Sequence, residues 1–238
     1  MIVRFALAAL LLATALPAAS QNYDANFALS LRGITGGRIA LAGRQQGDAY
    51  SVGADAKATG LVGTLLKYGY EGQARGRYVN GRPVSQSYSE TEDDDRERTQ
   101  AEVTFRGTRP ASVTFTPPRD PRDHDIDPTA QTGVIDPLSA LYDVMRPTEP
   151  ARACNRRYDL FDGRHVSRLT LGQPQADADG TIRCAAEYRR IAGYAPERLA
   201  ERPVVALEVR YEPAGAGLVE IAELRSPTRF GNAVLRRQ

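Results

Sequence analysis

Histidine and cysteine are scarce in this chain, with two of each in 238 residues. Lysine is nearly absent too, because Lys57 and Lys67 are the only lysines among 31 basic residues. A metal centre built from sulfur and imidazole is therefore short of ligands, since Cys154, Cys184, His124 and His165 would all have to converge. No C-x-x-C spacing offers redox catalysis, and no G-x-S-x-G step offers a nucleophile elbow around Ser139. The glycine pattern contains only the Gly215 and Gly217 fragment of a phosphate loop, placed between two strands rather than between a strand and a helix. After residue 20 no apolar run is long enough to cross a bilayer as a helix, so the chain beyond that point reads as free of transmembrane spans.

The N-terminus is where the apolar residues concentrate. Arg4 precedes a stretch over residues 5–16 broken only by Thr14, followed by Pro17, Ala18, Ala19 and Ser20. A charged start, a short apolar centre and small residues before a cut are the signature of an export signal. Residues 1–20 are expected to be a signal peptide cleaved near Ser20, which places the mature chain, residues 21–238, in the periplasm. In that oxidising compartment Cys154 and Cys184 are expected to form a disulfide, worth about 3–4 kcal/mol by loop closure. Losing Arg4 brings the net charge down from +2 to about +1, too weak a field to steer nucleic acid.

What is plentiful is alternation. Val205, Leu207, Val209 and Tyr211 face one way, with Ala206, Glu208, Arg210 and Glu212 facing the other, and turn residues 213–217 lead into a returning strand over 218–224. The same period occurs at Phe27, Leu29 and Leu31, around Ile39 and Leu41, and at Tyr50 and Val52. Further strands are expected over 66–78, 83–91, 98–106, 156–161, 165–171 and 182–191. Glu90, Glu92, Asp93, Asp94 and Asp95 read as a solvated hairpin tip, because the calcium-loop pattern is missing. Residues 117–130 form a charged, proline-rich connection. One helix is predicted after it: Asp136 as the N-cap, Pro137 at the first position, and Leu138, Leu141, Tyr142 and Met145 on one face.

Two groups could carry more than structure. Asp123, His124, Asp125 and Asp127 resemble an oxygen-rich metal site or a histidine base with carboxylate support, or simply a hydrated loop. His165 reads as a core or rim residue of a strand. Tyr68, Tyr70, Tyr78 and Tyr88 could line an apolar cavity or pack as ordinary strand residues.

The segment Asp136-Pro137-Leu138-Ser139-Ala140-Leu141-Tyr142, followed by Phe161-Asp162-Gly163-Arg164 and then Cys184, resembles the bacterial envelope family numbered 3108 among domains of unknown function. The Gly81-Arg82-Pro83 step matches as well, and the likeness runs from about Tyr23 to Leu224. The resemblance implies an exported β protein whose open half-barrel or β-spiral sheet wraps partly around a helix, in the manner of periplasmic carriers of lipoproteins and lipids. It implies no catalytic residue.

The combined expectation is a mainly β protein: a single antiparallel, strongly curved sheet with one short helix on its concave side. Its expected role is non-enzymatic support of envelope integrity, through an envelope protein partner or an acyl ligand, with no cofactor and no metal. Tyr68, Tyr70, Leu138, Leu141, Tyr142 and Met145 are the candidate cavity or packing residues. A lipid or lipoprotein carrier is the first alternative, and a hydrolase acting through residues 123–127 the second.

Overall fold

Alternating sequences of this kind pair with their neighbours through short turns, and the computed structural model shows how far the pairing runs. It describes residues 20–65, 67–94 and 96–238. The expected signal peptide lies outside the described residues, apart from Ser20.

The first half is a meander of seven strands: β1 (Ser20–Leu31), β2 (Ile34–Gln46), β3 (Ala49–Ala58), β4 (Tyr68–Val79), β5 (Arg82–Asp94), β6 (Arg98–Arg106) and β7 (Arg109–Thr116). A short helix, α1 (Gly60–Leu65), interrupts it after β3. An irregular stretch, a 3-10 turn (Pro128–Ala130) and strand β8 (Val134–Ile135) then lead to helices α2 (Pro137–Met145) and α3 (Pro150–Ala153). The second half is β9 (Arg156–Phe161), β10 (Val166–Ala176), β11 (Ile182–Ala192), helix α4 (Pro196–Glu201), β12 (Val204–Gly215), β13 (Leu218–Thr228) and β14 (Gly231–Arg237).

All 14 strands belong to one sheet, ordered β7-β6-β5-β4-β3-β2-β1-β14-β13-β12-β11-β10-β9-β8. The last strand returns to the first, and Phe27 opposite Arg237 through Leu31 opposite Ala233 sew the two meanders together. Tight turns make the meander possible. Asn80 and Gly81 both adopt left-handed backbone, at φ 52° and 72°, the requirement of a two-residue hairpin whose twist matches the sheet. Pro174 and Pro213 each sit beside a register shift, the kind of irregular point at which a strand tolerates proline.

Three features differ from the sequence expectation. The sheet is barrel-like and nearly closed rather than a half-barrel or β-spiral, because the Val134 amide at one edge donates to the Thr108 carbonyl beside β7 at 3.1 Å. The sheet is not wholly antiparallel either. β8 runs parallel to β9, since the chain leaves β8, passes through α2 and α3, and re-enters in the same direction, the crossover that a parallel pair requires. Four short helices are described instead of one.

Helix α2 also differs from a helix lying with one apolar face against a sheet. Leu138, Ser139, Ala140, Tyr142, Asp143, Val144 and Met145 are all buried, and the helix touches β3, β4, β5, β9 and β13. It plugs the barrel, and of the four expected core-facing residues Leu141 is the one left partly buried. Small residues on the facing wall make room: a Cβ at Gly43 would collide with the Tyr142 ring. Tyr142 packs against Tyr23 and Tyr50 at ring separations of 6.4 and 5.9 Å, and Tyr50 against Tyr78 at 5.3 Å, spacings at which tilted aromatic pairs attract. Cys154, the C-cap of α3, is joined to Cys184 in β11, with Cα atoms 5.7 Å apart. The bridge ties the helical excursion to the barrel wall.

Candidate functional site

Two buried carboxylates hold the plug. Asp136 is fully buried and caps α2 by accepting from the Ser139 amide at 2.7 Å. It also accepts from the Ser139 hydroxyl at 2.6 Å and from the Ser85 hydroxyl. Ser139 in turn accepts from the Tyr50 hydroxyl at 2.7 Å. Burial pushes the Asp136 carboxyl upward, and the hydroxyl and amide donors oppose that shift. Ser139, whose side chain lies wholly inside the protein, has no face open to a substrate.

Asp143 gathers a larger set at the other end of α2. It accepts from the Tyr78 hydroxyl at 3.0 Å and the Tyr158 hydroxyl at 2.7 Å. Arg146 and Arg156 pair with it at 3.2 and 3.3 Å. Arg156 also donates to the Asp143 carbonyl at 2.7 Å and to the Thr148 hydroxyl at 3.1 Å. Tyr211 completes the ring of contacts by donating to the Val144 carbonyl at 3.0 Å. A buried charge is tolerable only when paired and hydrogen-bonded in this way, so this cluster anchors the helix.

The acidic loop is occupied with itself. Asp125 accepts from Arg119 and from the Arg122 amide, each at 2.8 Å, while Asp127 caps the 3-10 turn through Thr129 at 2.8 Å. Among the described residues no group of three or more His, Cys, Asp or Glu side chains is placed to hold a metal ion.

The strand ends opposite Arg146 form a mouth with different chemistry. Here Tyr68 is 40% exposed, and Tyr70 lies 3.2 Å from the Tyr88 hydroxyl, which donates to Glu90 at 2.6 Å. Glu90 is thus a half-buried residue of β5, whereas the turn that follows β5 bends around Asp94, which accepts from the Arg96 and Glu97 amides at 2.9 Å. Nearby, His165 Nδ1 sits 2.9 Å from Asp162 and its ring stacks on Tyr194 at 4.2 Å. Ser167 joins the Tyr188 and Tyr194 hydroxyls at 2.7 and 2.6 Å.

Burial pushes the Glu90 carboxyl from 4.5 up to about 7, with Tyr88 and Arg164 opposing and Asp162 adding to the rise. The folded protein holds that proton more tightly than the unfolded chain does. Its stabilising contribution is therefore complete below pH 4.5 and is lost as pH rises through about 7. Glu90→Gln is expected to flatten the pH dependence of the urea midpoint across that window and to leave the variant more stable than the parent above it. An unchanged slope would show that Glu90 does not control it.

Beside this polar group the mouth turns apolar. Leu29 and Leu31 continue the inward-facing series of Tyr23, Ala25 and Phe27, yet they are 41% and 39% exposed, and Ile34 and Phe230 reach 64% and 53%. With Val62 they floor a groove of about 980 Å³. That volume lies in the range of small-molecule sites. Sequence alternation signalled Leu29 and Leu31 as inward residues, but nothing local signalled that the barrel would stay open above them.

The fold defines a mainly β, barrel-like protein built on one 14-stranded sheet with few short helices. Within that class the chain belongs to the family described as protein of unknown function (DUF3108), whose pattern matches residues 22–173. A comparison with curated proteins finds no match. Among solved structures, the chain is similar to a β-barrel-like protein of the domain of unknown function DUF1849 from Brucella abortus. The two share 10% identity and a TM-score of 0.45 over 94% of this chain and 97% of the other. No helix of the described residues is long and apolar enough to cross a membrane.

Proposed function

We propose that this chain is a non-enzymatic, exported protein of the periplasm that supports envelope integrity by binding an apolar ligand or partner segment at the open mouth of its barrel. The observation that carries this reading is the contrast between the two ends. Helix α2 and its tyrosines fill the barrel around Asp136 and Asp143, while Leu29, Leu31, Ile34 and Phe230 stand exposed at the opposite rim. A carrier of the kind that encloses its cargo deep in the barrel would need α2 to leave, breaking the bonds from Ser85 to Asp136 and from Tyr78, Tyr158 and Arg156 to Asp143. Hydrolysis by residues 123–127 finds no support in their geometry, since Asp125 and Asp127 are engaged by their own loop.

The test is genetic and biochemical. In a Gram-negative bacterium that carries the gene, osmotic shock is expected to release a protein lacking residues 1–20. Deleting the gene is expected to sensitise the cells to detergent, with resistance restored by the parent chain and not by a Leu31→Asp/Phe230→Asp variant of equal abundance. Unprocessed protein in the cytoplasm, or full rescue by the variant, would overturn the proposal.

A further inference from the structure

The apolar groove at the mouth has a rim of one sign. Arg190, Arg198, Arg202 and Arg229 border it, against the single carboxylate of Glu201. Among the described residues these arginines make other contacts than ion pairs. Arg190 donates to the Arg198 and Arg202 carbonyls at 3.1 and 2.8 Å, fastening α4 beside the mouth. Arg202 donates to the Pro227 carbonyl at 3.2 Å. The Arg229 guanidinium lies 4.7 Å from the centre of the Phe230 ring, directly beside the apolar floor. Elsewhere on the molecule arginines are repeatedly neutralised by neighbouring acids, as Arg225 and Arg236 are by Glu223, each at 2.7 Å.

From this charge pattern we infer that the groove binds a long-chain fatty-acid anion, its chain on Leu29, Leu31, Ile34, Val62 and Phe230 and its carboxylate among Arg198, Arg202 and Arg229. The inference rests on the proposal that the mouth binds apolar ligands, and it adds the head-group chemistry. Burying methylene groups supplies the attraction, which is common to any amphiphile. The arginine rim supplies the selectivity, since a guanidinium fork pairs bidentately with a carboxylate and gains far less from the hydroxyls of a neutral sugar head. The small floor of five side chains suits one acyl chain.

The mature protein, residues 21–238, is titrated with palmitate, with hexadecyl maltoside as a neutral head on the same chain, and with phosphatidylglycerol vesicles. Palmitate is expected to bind one per chain and roughly ten-fold more tightly than the maltoside. Arg198→Gln/Arg229→Gln removes two rim charges that bond no backbone group, and is expected to weaken palmitate roughly five-fold while leaving the maltoside unchanged. Phe230→Ser is expected to weaken both, with the urea midpoint unaltered. Equal affinity for palmitate and maltoside would overturn the anion assignment and leave the apolar mouth standing. Binding of neither would overturn both. Binding to the vesicles without uptake of palmitate would overturn the fatty-acid assignment in favour of a membrane surface.

Discussion

Asp143→Ala is expected to lower the free energy of unfolding by about 3–5 kcal/mol, the cost of stripping one partner from a buried ion pair. The side chains concerned are well shielded, since Asp143 is 5% exposed, Arg156 12% and Arg146 15%. Removing the carboxylate leaves Arg156 charged inside the protein. It also deprives the Tyr78 and Tyr158 hydroxyls of their acceptor, and each orphaned donor adds about 1–3 kcal/mol if no water reaches it. In the parent protein burial, with the Asp143 charge adding to it, holds both tyrosines well above the ordinary phenol range. Asp143→Asn keeps an acceptor oxygen and is expected to fall between the two. Denaturant titration reads the difference directly, and an alanine variant as stable as the parent would mean that α2 is not anchored there.

Gly43→Val is the second large effect, with an expected loss of about 3 kcal/mol from overpacking. Gly43 lies in β2 in ordinary extended backbone, so valine suits the strand itself. The obstacle is the Tyr142 ring, which occupies the space a Cβ would need. Because the conflict is between two named side chains, it should couple. Adding Tyr142→Ala to Gly43→Val is expected to recover part of the loss, where independent effects would add. Simple additivity would place the ring away from Gly43 and contradict the plugged barrel.

Much of the wall was legible because strand alternation is a local property. Residues 98–106 and 156–161 match β6 and β9 at both ends, and Asp136-Pro137 marks the start of α2, where its cap bond and burial are observed. Strands β7 and β14 lie outside the segments that alternation predicts. Their short runs, RPASVTFT and GNAVLRR, carry proline or terminal arginines and gain their place only by pairing with an existing sheet. Helices α3 and α4 each begin with proline after a residue that makes no side-chain cap, so half of the usual start signal is missing.

Long-range closure was the harder matter. That Val134 would meet Thr108, and that Asp143 would collect Tyr78 from β4 and Arg156 and Tyr158 from β9, depends on contacts between separate elements of the chain. Periodicity carries no such information. Glu90 illustrates the same limit: beside four other acids it reads as solvated, yet its place in β5 turns it toward Tyr88 and a half-buried setting.

Hydrogen exchange of residues 21–238 with and without palmitate separates a plugged barrel with an open mouth from an enclosing carrier. Slowed exchange confined to residues 29–34 and 228–233, with residues 137–145 equally protected in both states, is the predicted result. Ligand-induced opening of residues 137–145 would show that α2 leaves to admit cargo, and would contradict the account.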